Sequence, residues 1–479
     1  MRRIRTFRLE RDSLGEREVP RGAYYGIQTL RASENFRISG LRPPRALIRA
    51  TGIVKLAACR ANSSLGLLEK RIAKAISEAA DEVIDGRLDS EFIVDVFQAG
   101  AGTSHNMNAN EVIANRAIEI LGGKKGDYRL VHPNDHVNMG QSTNDTMPTA
   151  LRIAAISESD RLIDALGGLE AALRAKSREF KDVIKSGRTH LQDAVPITLG
   201  QEFGSWASAV KSSIKRVERA REGLKRIGLG GTAVGTGINT HPGYRDAALR
   251  ELSKAGGIKG LRKAEDPFEA LSSSTDFSSF SGALRDAALD LIRIANDLRL
   301  LSSGPMTGLS EIMLPPVQPG SSIMPGKVNP VMAEMADMVG FQVIGADAAI
   351  AAATQAGQLE LNVMLPVIGH NLLHSIDILS NACLAFSGRC VKGIKADSVR
   401  CRRYFEASAG LATALNTIIG YERAAEVVKE SAKTGKSIKE TALGKGVLTG
   451  PEWDRLFDPK RITRPAESPF PMKKRRTGR

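Results

Sequence analysis

Aromatic residues make up only 5% of the 479-residue sequence, and cysteine is limited to Cys59, Cys383, Cys390 and Cys401. These cysteines form no Cys-x-x-Cys pair and no Cys/His cluster at zinc-ligand spacing, so neither a disulfide framework nor a metal site is expected. Four unpaired thiols fit a reducing cytoplasm. No uncharged run approaches the ~20 residues of a membrane span, and the basic start MRRIRTFRLERD is not followed by an apolar stretch of signal-peptide length. A cytoplasmic protein without a membrane partner is the expectation. Period-two alternation is missing too, as is any strand, glycine loop and helix unit, which argues against a doubly wound nucleotide-binding sheet and leaves no cofactor expected.

What remains is a chain that is 42% hydrophobic and 25% charged, the composition of an ordinary globular protein. Its net charge of +15 sits largely at the ends: residues 1–11 carry +4 and residues 460–479 carry +7, leaving +4 for everything between. Basic ends such as Lys473-Lys474-Arg475-Arg476 read as solvated tails, and nucleic acid is not the expected partner.

Helical periodicity is clearest in the middle. Leu199, Phe203, Trp206, Val210, Ile214, Val217 and Leu224 recur at steps of three, four or seven, which predicts one long amphipathic helix. Leu284, Ala288, Leu291, Ala295 and Leu298 repeat as 4-3-4-3, the spacing of a seam between neighbouring helices. The segment 354–386 is predicted to be helical with a kink at Pro366. The fold is expected to be all-α (mainly α), with an N-terminal domain over 1–141, a central long-helix bundle over 142–396, a small helical C-terminal domain over 397–464 and a disordered basic tail over 465–479. Helices of this length need partners along their faces, so an oligomer is expected.

Four polar clusters interrupt the helical pattern. They are Gly100-Ala101-Gly102-Thr103-Ser104-His105-Asn106-Met107-Asn108, Gly140-Gln141-Ser142-Thr143-Asn144-Asp145, Gly187-Arg188-Thr189-His190-Leu191-Gln192-Asp193, and the run Gly320–Pro330, GSSIMPGKVNP. Singly each has a plain structural reading: a helix cap, a turn, a loop. Together they offer short hydroxyl and amide donors and one lysine, a cradle suited to a small carboxylate.

The run GSSIMPGKVNP resembles the signature loop of the aspartase/fumarase superfamily. The resemblance extends from about Leu9 through Tyr24-Tyr25-Gly26, the other clusters and Gly357–Val363 to Gly446-Val447-Leu448-Thr449, nearly the whole chain. It implies a three-domain helical fold, a central bundle shared in a homotetramer, and sites assembled from more than one subunit. Gly100–Ser104 and Ser142–Asp145 look like aspartases, where fumarases tend to have Gly-Ser-Gly-Thr-Gln and Ser-Ser-Asn-Asp; Leu361–Met364 and Thr434–Ser437 lean the same way. His132-Pro133-Asn134-Asp135 and His190 are fumarase-like. The implied reaction is elimination of ammonia from L-aspartate to give fumarate, with class II fumarate hydratase as the near alternative and a catalytically inactive helical scaffold as the distant one.

The resemblance implies Ser321 as general base, Lys327 and Asn329 as grips on one carboxylate, Thr103, Ser142, Thr143 and Ser322 as donors to the other, and Asn144, Thr189 and His190 as orienting groups. A serine hydroxyl is too weak an acid to serve as a base unaided, so nearby positive charge, to which Lys327 is a candidate contributor, and backbone N–H groups of the glycine-flanked loop must stabilise its alkoxide. Gly320 and Gly326 are expected to let this loop close over substrate. One departure stands out: where the family usually has Ser-Gly-Pro-Arg, this chain has Ser303-Gly304-Pro305-Met306, which removes a fixed cation.

Overall fold

A computed structural model describes residues 6–465; the expected basic tail, apart from Pro465, and the first five residues lie outside the described residues. The described chain is mostly helical, and five helices dominate it: Thr143–Glu179, Leu199–Leu224, Thr275–Leu301, Val331–Gln355 and Leu365–Arg389. The periodic pattern from Leu199 to Leu224 is one helix with those two residues as its ends. Its apolar stripe is buried except for Ile214, which is half-buried. The 4-3 seam from Leu284 to Leu298 lies within Thr275–Leu301, and all five of its residues are buried.

The chain forms two compact units, each assembled from separated stretches. One comprises residues 6–164, 213–288 and 339–380, and the other 165–212, 289–338 and 381–465. In the first, the Ala-rich helix Arg45–Ser64 packs on Lys70–Ile84 and Tyr244–Gly256, and the core is built from small and branched side chains such as Ile76, Ala79, Val83, Ile113 and Ala117. Small residues let helix backbones approach: a Cβ on Gly52 would lie 3.0 Å from Ile84 Cγ1 and 3.1 Å from Val83 Cγ1. In the second, Phe180, Phe203 and Trp206 stack edge to face with centroids 5.3 and 4.7 Å apart. A further cluster gathers Phe405, Leu415, Ile418, Trp453 and Phe457 around Ile184.

Two features differ from the sequence reading. Among the described residues there are four two-stranded sheets, the largest being Phe7–Asp12 with Gly15–Pro20 and Ile184–Thr189 with Gln192–Thr198. The second hairpin shows no clean alternation because its register shifts between Ser186 and Arg188. Gly187 sits at that irregularity, where a Cβ would lie 2.6 Å from the Val195 carbonyl. Nor does one helix kinked at Pro366 run across 354–386. Val331–Gln355 ends, a non-helical stretch follows, and Leu365–Arg389 begins afresh with Pro366 in its first turn, where the missing N–H leaves no intrahelical bond unmade. Asn362 explains the break: its Nδ2 donates to the Ala353 and Thr354 carbonyls at 3.1 Å each, and its Oδ1 accepts from the Met364 N–H at 2.8 Å.

Ile113 is fully buried in this core. Ile113→Ala is expected to destabilise the protein by about 2–5 kcal/mol, the usual cost of a large-to-small core change, read as a lowered denaturation midpoint in urea.

Candidate active site

The expected site residues divide between the two units. In the first, Gly100–Gly102 forms a turn with Ala101 at φ 60° and Gly102 at φ 84°, and the helix Thr103–Ile120 starts directly after it. Gly102 has little freedom to change, since a Cβ there would lie 2.7 Å from Met147 Cε. The turn is pinned by the Ala101 N–H donating to the Val363 carbonyl at 2.7 Å. Thr103 is thereby left exposed at the first position of the helix, its hydroxyl 3.2 Å from the Gly100 carbonyl.

Ser142–Asp145 is the helix cap that its residue types suggest. The Asn144 N–H donates to Ser142 Oγ at 3.2 Å, and the Ser142 N–H donates to Asp145 Oδ1 at 2.9 Å, a reciprocal pair that opens Thr143–Glu179. Asp145 is buried, and its Oδ2 accepts the N–H groups of Gly230 and Thr232 at 2.9 Å each. Burial pushes its pKa up to about 6, against the pull of those three N–H groups and of Lys55. Asn144 donates to the Ala233 carbonyl at 2.8 Å. Pro148, lacking an N–H, denies the Asn144 carbonyl its usual helical donor and leaves an acceptor in the first turn. Thr143 Oγ1 accepts from Asn106 Nδ2 at 3.0 Å, so Thr143 belongs to one hydrogen-bonded group with the helix that carries Thr103.

In the second unit, Thr189 and His190 sit at the exposed end of the hairpin Ile184–Thr189/Gln192–Thr198. The turn residues are His190 and Leu191, at φ 54° and 59°, a two-residue connection with both residues left-handed. Such turns favour Asn-Gly; a leucine there costs about 1–2 kcal/mol. The hairpin is tied down by buried charge: Arg188 Nη2 donates to Glu311 Oε1 at 2.8 Å, and Lys185 Nζ lies 3.0 Å from Glu311 Oε2 and 2.9 Å from Glu202 Oε2. Glu311 is fully buried between these two cations.

Ser321 lies half-buried in the loop before Val331–Gln355. Its Oγ accepts two backbone N–H groups, from Ile323 at 3.2 Å and Met324 at 3.0 Å. The loop is closed by the Gly320 N–H donating to the Lys327 carbonyl at 2.8 Å and by Asn329 Nδ2 donating to the Gly320 carbonyl at 2.8 Å. Met324-Pro325-Gly326-Lys327 folds back on itself, with the Lys327 N–H reaching the Met324 carbonyl at 3.3 Å and Gly326 at φ 81°, the conformation a type II turn demands after proline. Ser322 and Lys327 are exposed, and Lys327 has no ion pair and no bond to Ser321 among the described residues. Met306 is 84% exposed, and Arg400 supplies the cation there, donating to the Pro305 carbonyl at 3.0 Å. Among the described residues no three His, Cys, Asp or Glu side chains gather as a metal group.

Sequence reasoning placed Ser104, His105, Asn106 and Asn108 in the first cluster without showing that they are buried, and it missed Asn110 and Glu111 in the same polar layer. Ser104, His105, Asn106, Asn108, Asn110 and Glu111 are all buried on Thr103–Ile120. Glu111 accepts the N–H groups of Gly26 and Gln28 at 2.9 Å and of Thr29 at 3.1 Å, which holds the Tyr24-Tyr25-Gly26 segment in place. Lys55, fully buried amid Ile53, Val54, Leu56 and Ala57, joins that layer. A lysine set inside an apolar run was the available signal.

Residues 15–345 match the family described as Lyase, and residues 411–464 match the fumarase C C-terminus. The protein is a lyase. It is 50% identical to an aspartate ammonia-lyase of a Bacillus species over 96% of this chain and 98% of that one, and equally 50% identical to a class II fumarate hydratase of Bradyrhizobium diazoefficiens over 96% and 97%. A crystal structure described as a fumarate lyase:delta crystallin from Brucella melitensis bound to cobalt superposes with a TM-score of 0.93 at 50% identity, covering 96% of this chain and all of that one. The chain belongs to the aspartase/fumarase superfamily.

The loop geometry sets a test. A Cβ on Gly320 would lie 2.6 Å from the Lys327 carbonyl oxygen and 2.8 Å from the Asn329 nitrogen. Gly320→Ala is therefore expected to open the loop and lower turnover at least roughly tenfold, while the melting temperature moves little because the loop is exposed. Steady-state kinetics beside a thermal melt checks both.

Proposed function

We propose that this lyase eliminates ammonia from L-aspartate to give fumarate, and that Ser321 is its base. The observation that carries the reading is the pair of N–H groups aimed at Ser321 Oγ, which would stabilise an alkoxide at the one atom where the reaction needs a base. Taking a proton from the carbon beside a carboxylate places a second negative charge on that carboxylate. Fixed donors must meet that charge, and each is worth about 3 kcal/mol in such sites, though not additively. Ser142 and Thr143 suit the task because their hydroxyl oxygens already receive an N–H each, so their own protons are free to be donated outward. Thr103 and Ser322 supply further hydroxyls. Lys327 and Asn329 grip the other carboxylate, Asn329 also bracing the loop. Asn144, Thr189 and His190 orient the ammonium, to which the Asn144 carbonyl, lacking a Pro148 N–H, is a fitting acceptor. The Cβ proton passes to Ser321, the electron pair left on carbon becomes the new C=C bond, and the C–N bond breaks to release ammonia.

The aspartase assignment over fumarate hydratase rests on Gly100–Ser104 and on Thr143, with the Bacillus relative in support. The hydratase reading draws on His132–Asp135 and on the Bradyrhizobium relative. Incubation with aspartate, malate, argininosuccinate and adenylosuccinate, followed by fumarate absorbance, separates them: fumarate should form from aspartate and not from malate. Ser321→Ala should cost roughly 100- to 10,000-fold in kcat. Fumarate from malate alone would replace the assignment with the hydratase, and no fumarate from any of the four would leave the inactive scaffold.

A homotetramer with sites shared between subunits is part of the proposal. The helix Val331–Gln355 is long and apolar enough to cross a membrane by length and composition, and only 39% of its most apolar window is buried. Asp337 and Asp347, ion-paired to Arg299 and Arg285 at 2.8 and 2.9 Å, make it a poor membrane span. Its exposed Met338 and Phe341, 66% and 59% accessible, are better explained by burial against other copies. The four cysteines are free and buried, in keeping with a cytoplasmic location. Phe341→Asp should split the oligomer, seen as a smaller mass by light scattering, and should abolish turnover.

A further inference from the structure

Lys55 is fully buried on Arg45–Ser64, yet no carboxylate lies within ion-pair distance of it among the described residues. Its ammonium donates to two side-chain amide oxygens, Asn138 Oδ1 at 2.9 Å and Gln141 Oε1 at 3.0 Å. A cation cannot accept a hydrogen bond, so both amides must turn their oxygens toward it. Their nitrogens then face carbonyls: Asn138 Nδ2 donates to Gln141 O at 3.2 Å, and Gln141 Nε2 donates to Val137 O at 3.0 Å. Asn138 Oδ1, held in this sense, also accepts Asn106 Nδ2 at 3.3 Å, and the same Asn106 nitrogen donates to Thr143 Oγ1 at 3.0 Å. The Asn106 oxygen is left buried without a partner. That orphan marks an amide whose orientation is imposed by its neighbours rather than chosen for its own satisfaction.

We propose that Lys55 is a positioning residue that sets the hydrogen-bond polarity of the carboxylate cradle: it holds the Asn138 oxygen as the acceptor of the Asn106 N–H, so that Asn106 also donates to Thr143 and the Thr143 hydroxyl must give its own proton to the substrate carboxylate. Without the cation, Asn106 is free to flip. Its oxygen would then face Thr143 and take the hydroxyl proton that the growing negative charge requires. The effect is exerted through orientation: Lys55 touches no reacting atom. A buried positive charge behind the cradle acts in the same direction, since charge compensation in a low-dielectric interior is strong. Asp145, whose charge acts on Lys55, is already occupied by three backbone N–H groups, and burial lowers the pKa of Lys55 to about 7 against the Asp145 charge.

This inference rests on Thr143 being a donor to the substrate. The test is a double-mutant cycle between Lys55→Met, which keeps the length of the stem but removes the cation, and Thr143→Val, which removes the hydroxyl at nearly constant shape. Each single change is expected to lower kcat roughly tenfold or more, with a smaller change in KM, because the donor acts on charge that develops in the transition state. Lys55→Met should then cost less than about twofold when added to Thr143→Val. Equal losses in both backgrounds, or a Lys55→Met enzyme of full activity, would overturn the proposal while leaving the cradle intact. An unaffected Thr143→Val enzyme would instead overturn the cradle reading, and this proposal with it. If Lys55→Met does not fold, Asn106→Asp serves: it replaces the donor that faces Asn138 and Thr143 with an acceptor. It should show the same loss of kcat, and full activity in that variant would sink the idea.

Discussion

The Asp145 carboxylate, buried and divided among the N–H groups of Ser142, Gly230 and Thr232, is the constraint on which the first half of the site depends. It closes the cap of Thr143–Glu179, so the side chains of Ser142, Thr143 and Asn144 leave the helix start in fixed directions. It also joins that start to the 230–232 turn, beside which Asn144 finds the Ala233 carbonyl. A buried carboxylate held by neutral donors, here three N–H groups and the Thr146 hydroxyl at 3.4 Å, is costly unless every lone pair is engaged, and burial raises its pKa accordingly. Lys55 offsets part of that cost from the far side of the amides. The fold therefore keeps a charged, hydrogen-bonded lattice inside an otherwise Ala-rich helical core, with the Asn106 oxygen among its unpartnered atoms, and the Ser142, Thr143 and Asn144 side chains inherit their direction from it.

The same logic recurs in the second unit with different parts. Glu311 is the buried node, flanked by Lys185 and Arg188, and what it fixes is a hairpin whose tip carries Thr189 and His190. Left-handed His190 and Leu191 make that tip an unfavourable turn by itself. Removing either cation would leave a buried carboxylate underpaired, a cost of about 3–5 kcal/mol in comparable networks, so the anchorage has reserve enough to hold the strained turn.

How much of this was legible in the sequence follows from which interactions leave a local trace. The helix Leu199–Leu224 was readable to its ends because solvent and core alternate around it at 3.6 residues, and the 4-3 seam in Thr275–Leu301 was readable for the same reason. Met324-Pro325-Gly326-Lys327 carries its turn type in its residue types. By contrast, Thr103–Ile120 is buried on nearly every face, so no amphipathic stripe reveals that His105, Asn106 and Asn108 are interior residues. Their partners, Gln98, Thr51, Asn138 and Glu91, come from other stretches of chain, and no local pattern records such pairings. The hairpin at 184–198 was hidden by its irregular register, and the break at 356–364 by an asparagine that caps one helix from beyond its end.

Equal identity to an ammonia-lyase and to a hydratase means that overall similarity cannot decide between two reactions within one family. The decision must lie in a few side chains at the cradle, and Thr143 is one with a physical consequence. A serine hydroxyl rotates among three staggered positions, whereas the extra methyl of threonine restricts χ1 and leaves the hydroxyl fewer directions. Here its direction is further fixed by the N–H arriving from Asn106. On the proposed reading, a cradle stiffened in this way would discriminate by geometry: it would accept a diacid whose leaving group sits where the Asn144 side chain can hold an ammonium, and it would have less freedom to shift toward a neutral hydroxyl. Selectivity between nitrogen and oxygen leaving groups would then arise from how rigidly the first carboxylate is held, as much as from any group that touches the leaving atom.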